Sequence, residues 1–378
     1  MDLSLTEQQA LLRDSARSFL AGECPESHVR DMEVDPRGFS PQLWGKMAQQ
    51  GWQGLIVPPE YEGVGMDFMD LVVLVEEFGR ALVPGPFIPN SVATLALIET
   101  ANEQQKAQWL PPIAAGTDIW TVAFTEGSGR FDAGGVELTA RREGDFYVLN
   151  GTKVFVRDSH VADRLVVVAR TGGKDAEGIS LFAVGTNSVG LSQEPLLTIA
   201  GDKQNEITFK NVSVPADNLL GAEGNGWQAF QSIATRATIL ECAYLVGLAQ
   251  MDFDIALDYA KERVVFGRPI GAFQAIQHKF ADMVTDLNGS RQLMYRAASA
   301  VANNEPEQSK FAHIAKTWCT DATRRLVAHS QQIHGAIGFT RDYKIQLYYR
   351  RQRVAGDAWG NADFHRDLVG RMIADGTY

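Results

Sequence analysis

Apolar residues recur at helical spacing through the first third of the chain. Leu5, Leu12, Ala16, Phe19 and Leu20 form one stripe, opened by Thr6 with Gln9 three residues later and closed at Gly22. A hydroxyl followed by an amide at that spacing is the capping-box signature of a helix start. A second helix is predicted to carry Leu43, Met47 and Ala48 towards Gly51, a third spans 71–78 and a fourth 91–98, with Pro84, Pro86 and Pro89 breaking the chain between the last two. Residues 52–65, rich in Gly and Pro, predict a loop. Between about 118 and 216 the period drops to two, in runs over 120–124, 136–141, 146–151, 153–156, 164–170, 179–184 and 206–212 separated by Gly-rich turns. No strand–helix alternation interrupts them, which disfavours a doubly wound nucleotide fold. After 221–227 the helical period returns and predicts helices over 228–264, 274–303, 307–335 and 361–375. The expected fold is α+β: an N-terminal helical domain over 1–117, a middle β-barrel-like or sandwich domain over 118–222 and a C-terminal four-helix bundle over 223–378.

The chain has 378 residues, enough for a sizeable core, and its 35 basic against 46 acidic residues leave a net charge of −11. With no block of five like charges, neither nucleic acid nor an anionic membrane is expected as a main partner. Cys24, Cys242 and Cys319 are odd in number and widely spaced, which predicts neither a disulfide framework nor a structural zinc site. The opening residues 1–6 show no basic segment followed by an apolar one, and no run reaches 18 apolar residues, so a soluble cytoplasmic protein is expected. The seven histidines are scattered, and His329 and His334 stand five apart on one helix, a spacing that does not converge on a metal. A serine-hydrolase elbow, a P-loop and a strand-linked GxGxxG are all missing.

The segment from Tyr259 to His278 carries more information. Pro269 and its flanking glycines end one long helix and begin another, placing Arg263, Phe266, Arg268 and Gln274 around a turn that can meet a phosphate and a planar ring. An interhelix corner with solvated arginines would read the same way. Together with Gln332, His334, Gly335, Gly338 and Phe339, the Ala123–Gly127 stretch and residues 153–163, this segment resembles the acyl-CoA dehydrogenase family over essentially the whole chain. The resemblance implies FAD held between the β domain and the bundle, a dimer or tetramer, and α,β-desaturation of an acyl-CoA thioester with electrons passed to an electron-transfer flavoprotein. It places Thr125 at the flavin's pyrimidine edge and Phe155 where a tryptophan usually shields the ring. Arg263, Phe266 and Gln274 fall where a neighbouring subunit clamps the FAD pyrophosphate and adenosine, and Gln332 and Gly335 fall on a second FAD-contacting turn. Ser128, Phe131, Tyr244 and Trp359 fall around the acyl-CoA.

Three positions depart from the family. Phe131 replaces a serine of the thioester-seating stretch, Arg157 stands where a threonine is common, and Trp359 occupies the position of the catalytic glutamate. Desaturation needs a carboxylate within reach of the acyl α-proton. Some branches take it from the first long helix of the bundle, where Glu241 is the one acid between Glu223 and Asp252, on a stripe with apolar neighbours that predicts burial and a raised pKa. Asp357 is the other candidate, and a site without a base is the third. Bacterial heteromeric relatives resemble this chain at 155–158 and 360–366, which leaves open a supporting subunit of a hetero-oligomer, and a flavin monooxygenase or base-independent eliminase on the same fold is a further alternative.

Overall fold

The structure, a computed structural model, describes residues 4–376. The first three residues, where the segment read for a leader begins, and the last two lie outside it. The chain divides into two compact units: Asp31–Asp67 with Pro84–Ala234, and Met1–Arg30 with Phe68–Val83 and Thr235–Tyr378.

The first of these is built on a sheet. Its strands are β1 (Trp120–Ala123), β2 (Thr139–Glu143), β3 (Phe146–Arg157), β4 (Arg164–Arg170), β5 (Ile179–Gly185), β6 (Leu191–Leu196), β7 (Gln204–Pro215) and β8 (Leu219–Leu220), in the order β6-β7-β3-β2-β4-β5-β8, with β1 pairing β4 in parallel. The barrel-like closure expected from the strand count is corrected here: the sheet is open, with β6 and β8 at the two ends of its path. Leu149, Val167, Phe182, Ile207 and Phe209 converge from both halves of the sheet on one buried cluster. Two predicted runs, 146–151 and 153–156, are one strand, β3, interrupted by register shifts at Leu149/Gly151 and Lys153/Val156. Helices α3 (Pro41–Gln49), α5 (Phe87–Thr100) and α6 (Glu103–Ala114) belong to the same unit. The side chain of Asn90 on the mostly apolar α5 accepts from the Trp120 backbone N–H at 2.8 Å, so the helix docks on β1 with its one buried side-chain amide paired.

The second unit is helical. Its helix α1 (Glu7–Glu23) starts as the Thr6–Gln9 spacing predicts, with both capping-box bonds made at 3.2 and 3.1 Å, and it runs through Gly22 to Glu23. Helix α4 (Phe68–Ala81) belongs to it with the long helices α7 (Gly226–Glu262), α8 (Gln274–Ala302) and α9 (Gln308–His334), followed by α10 (Ile345–Asp357) and α11 (Ala362–Ala374); the division falls within α2 (Glu26–Val34) at Arg30 and within α7 at Ala234. Both α2 and α6, like α10, went unpredicted. By length and composition α7 could cross a membrane, yet 78% of its most apolar window is buried inside the protein, the environment of a core helix.

Where α4 crosses α7, two glycines face each other's backbone. A methyl on Gly247 would overlap the Glu76 carbonyl, and one on Gly79 would overlap the Tyr244 carbonyl. Gly247→Ala must therefore push backbone and not a flexible side chain. It is expected to destabilise the protein by roughly 3 kcal/mol, the upper end for overpacking, as a lowered denaturant midpoint with unchanged m.

Candidate functional site

In the sheet unit, β1 runs out at Ala123 and the next three residues are pinned to β3. The Thr125 carbonyl accepts from Val154 N–H at 2.8 Å, and the Lys153 ammonium, with no exposed surface, donates to the Phe124 carbonyl at 3.0 Å and to Glu126 Oε1 at 2.6 Å. Glu126 also accepts from the Glu137 and Leu138 N–H groups at 3.0 Å each. Burial pushes the Lys153 ammonium down to about 8, against the opposing pull of Glu126. One buried ion pair thus ties 124–126, 137–138 and 153–155 into a rigid corner.

That corner presents Thr125, half-buried, beside Phe155, which is 59% exposed. The register shift between Lys153 and Val156 frames Phe155, whose φ of 56° lies in the left-handed region. Bulges re-aim side chains, and an aromatic residue held strained and outward marks a place shaped for contact. Arg157, one residue past Val156, accepts through its carbonyl from the Thr121 hydroxyl at 2.8 Å. Phe131 lies 6.1 Å from Phe124, centroid to centroid, and Phe124 in turn packs on Phe230 at 4.3 Å and Trp227 at 6.3 Å. The position that a serine commonly fills is therefore the rim of an aromatic cluster. Ser128 is exposed in the turn before it.

In the helical unit, α7 gives way to a hairpin of β9 (Val264–Val265) and β10 (Arg268–Pro269). Its two-residue turn is Phe266-Gly267, with φ of 53° and 80°. Positive φ at both positions matches a type I′ turn, which favours glycine, so Phe266 sits there against preference and 92% exposed. The Ile270 N–H closes the hairpin on the Arg263 carbonyl at 2.8 Å, and Arg268 stacks on Phe273 at 4.2 Å. Arg263 and Gln274 are exposed, and α8 starts at Gln274 without a side-chain cap. An exposed guanidinium, an outward ring and an uncapped helix start match the needs of a dinucleotide's phosphates and base.

At the end of α9, His334 is buried, stacks on Tyr259 at 4.4 Å and hydrogen-bonds to the Ser330 carbonyl at 2.8 Å. This fixes the turn where Gly335 takes φ of 63° and ψ of −139° with open space beside it, next to exposed Gln332.

Glu241 and Tyr244 lie inside the bundle. The burial predicted for Glu241 is complete, at 0% exposure. Its charge acts on the buried ammonium of Lys316, as does that of Asp357, against the burial that lowers the ammonium's pKa. Asp357 is exposed at the end of α10, in one turn with half-buried Trp359.

Beside that turn His313 and His365 meet Nδ1 to Nδ1 at 2.8 Å, and His365 Nε2 meets the Trp359 carbonyl at 3.0 Å. Burial holds the two imidazoles down to about 4 and about 3; His313 and Lys316 push His365 further down, against the Trp359 carbonyl. In an unfolded chain both would protonate near 6.5. Between those values the unfolded state binds more protons, so stability falls as pH drops from about 6.5 towards 3. Denaturant midpoints measured from pH 7 to 4 should fall, and His365→Gln should flatten the slope.

Motif reading found neither this histidine pair nor the Lys153–Glu126 pair. A lysine inside the apolar run at 153–156 was the available signal for the second; the first joins residues 52 apart and left none.

Three family models match in succession: acyl-CoA dehydrogenase N-terminal domain over 6–117, middle domain over 121–212 and C-terminal domain over 224–374. The chain belongs to the acyl-CoA dehydrogenase family. Members of this family are FAD-dependent flavoproteins. The chain is 35% identical to a 3-(aryl)acrylate reductase of Clostridium sporogenes, covering 96% of this chain and 98% of that one. It is 34% identical to the caffeyl-CoA reductase-Etf complex subunit CarC of Acetobacterium woodii, covering 97% and 98%. Among solved structures, the steroid ACAD Tcur3481-Tcur3483 superposes with a TM-score of 0.90 at 30% identity, covering 98% and 99%. The acyl-CoA dehydrogenase family thereby accounts for the helix, sheet, helix order, for the open sheet and for an oxidoreductase acting on acyl-CoA.

Proposed function

We propose that the chain binds FAD and carries out α,β-dehydrogenation of an acyl-CoA thioester, passing electrons to an electron-transfer flavoprotein. The observation that carries this reading is the corner at Thr125 and Phe155, where a buried ion pair fixes a hydroxyl-bearing residue beside an outward ring in strained backbone. These side chains suit the cofactor. Phe155 would cover one face of the ring system and Thr125 would meet its polar edge. Arg263 and Gln274 would hold the pyrophosphate of a neighbouring subunit's FAD, with Phe266 against the adenosine and Gln332 and Gly335 on the second turn. Bound FAD supplies the acceptor for a hydride from the substrate β-carbon.

On the substrate side, Ser128 would offer a hydroxyl to the thioester beside Phe131, and Tyr244 and Trp359 would bear on the acyl group. Asp357 is the acid that solvent reaches in the Trp359 turn, which makes it the accessible candidate for the α-proton. The relative whose name places it in an Etf complex supports the electron partner, and homo- or hetero-oligomers both suit a clamp that serves a neighbour.

The full burial of Glu241 and the tryptophan at 359 favour a second reading, a subunit that supports a partner's active site in a hetero-oligomer. Anaerobic titration with a panel of CoA thioesters separates the two. An enzyme purifies yellow and is bleached by one of them. A protein that stays colourless with added FAD, or that no thioester bleaches until a related subunit is co-expressed, is the supporting one.

A further inference from the structure

The turn after α10 is unusual in itself. Ala358 has φ of −60° and ψ of 136°, Trp359 has φ of 59°, and the Gly360 N–H bonds back to the Asp357 carbonyl at 3.2 Å. This is a type II turn with tryptophan at the position that ordinarily demands glycine or asparagine. Strain of that kind persists only where the surroundings over-determine it.

The surroundings are a polar row on one face of α9, at His313, Lys316, Thr320 and Thr323. The Lys316 ammonium, fully buried, donates to the Ala355 carbonyl at 2.8 Å; the Thr320 hydroxyl donates to the Gly356 carbonyl at 3.4 Å; Gln352 returns a bond to the Thr320 carbonyl at 3.1 Å. The last carbonyls of α10 are thus capped by another helix, with a cation where a helix C-terminus favours one. The proton positions on the histidines then follow. His365 Nε2 faces a carbonyl and must donate, so its Nδ1 accepts and His313 Nδ1 donates. His313 Nε2 is left to accept from the Ser309 hydroxyl, 3.2 Å away. Every proton in the chain from Ser309 to the Trp359 carbonyl has one assignment.

We propose that His313, His365 and Lys316 are positioning residues that hold Trp359 in its strained turn, so that its indole forms a fixed wall against the acyl group. The inference rests on the reading of Trp359 as a substrate contact, and it adds to that reading the device that sets how bulky a thioester is accepted.

The test uses the full-length protein as purified, with His365→Ala, His365→Gln, Trp359→Ala and the double variant Trp359→Ala/His365→Ala. Kinetics are read with straight-chain and aryl-bearing CoA thioesters, and acrylamide quenching of Trp359 is read as the difference between each variant and the same variant carrying Trp359→Phe. His365→Ala should expose Trp359 to quencher and shift KM between the two thioester classes by about tenfold, the scale of one pocket contact, while kcat changes less. His365→Gln keeps a donor towards the Trp359 carbonyl and should restore most of the shift. The double variant should be no worse than Trp359→Ala alone. Should His365→Ala not fold, His365→Asn, too short to reach that carbonyl, carries the same expectation. Unchanged quenching in the His365 variant, or effects of the two single substitutions that multiply, overturns the proposal. If the wild type turns over no thioester, the functional reading fails, and the quenching arm still decides whether His365 holds Trp359.

Discussion

Arg263→Ala is expected to lose most of its FAD on purification and to loosen the oligomer at the same time. The guanidinium is exposed on a hairpin whose own bonds do not engage it: the base is closed by backbone, and the stacking on Phe273 belongs to Arg268. Removing the side chain should leave the hairpin intact and delete only a contact to something outside the chain. A charge-assisted bond to pyrophosphate contributes roughly 1.5–3 kcal/mol, which corresponds to about 10- to 100-fold in affinity. Arg263→Lys keeps the charge but not the planar two-toothed fork, and it should fall between wild type and Ala. Flavin absorbance per protomer and sedimentation measure both effects on one sample. Unchanged flavin content in the Ala variant would show that the clamp lies elsewhere.

How far the sequence discloses such features depends on whether they are local. The start of α1 was legible because the Thr6–Gln9 box is closed by two bonds within four residues. The ends of α7, α8 and α9 were legible to within two residues because long apolar periodicity stops at Gly and Pro. Two elements were hidden by proline. Helix α6 carries Pro111 and Pro112 in its last turns, and β6 carries Pro195, which survives because β6 is an edge strand with one side unpaired. Helix α10 was hidden by its own composition: three arginines and two glutamines interrupt the stripe, and Arg351 is buried with its guanidinium donating to the Leu82 carbonyl at 3.2 Å. Closure of the sheet depends on which strands become edges, a property that strand count does not carry. At the site, Thr125, Phe155 and the hairpin residues could be named from motifs, whereas the Lys153–Glu126 pair and the histidine chain are properties of tertiary contact. Sequence periodicity predicted that Glu241 would be buried; how completely, and which buried cation its charge acts on, required the tertiary packing.

That packing gives the last expectation its direction. Glu241 has no accessible surface and Lys316 has none, and the glutamate's charge acts on the ammonium. Neutralising one of two opposite buried charges leaves the other less compensated, by up to roughly 3–5 kcal/mol where the two are closely coupled, whereas neutralising both is often close to harmless. Glu241→Gln should therefore unfold at markedly lower denaturant and lose flavin with its fold. Glu241→Gln combined with Lys316→Met should recover at least half of the loss, although Lys316→Met also forfeits the bond to the Ala355 carbonyl. A general base behaves in the opposite way. Its Gln variant would fold and bind FAD normally while flavin reduction by the best thioester slowed by about 10²–10⁴-fold, and no change at Lys316 would restore the rate. Stopped-flow reduction and a denaturant titration on wild type, Glu241→Gln and the double variant distinguish the two roles. If Glu241→Gln is stable and slow, the buried carboxylate opens to substrate during turnover and is the base after all. If it is unstable but reduces at wild-type speed per bound flavin, the proton goes elsewhere, and Asp357→Asn is the variant in which the rate should fall.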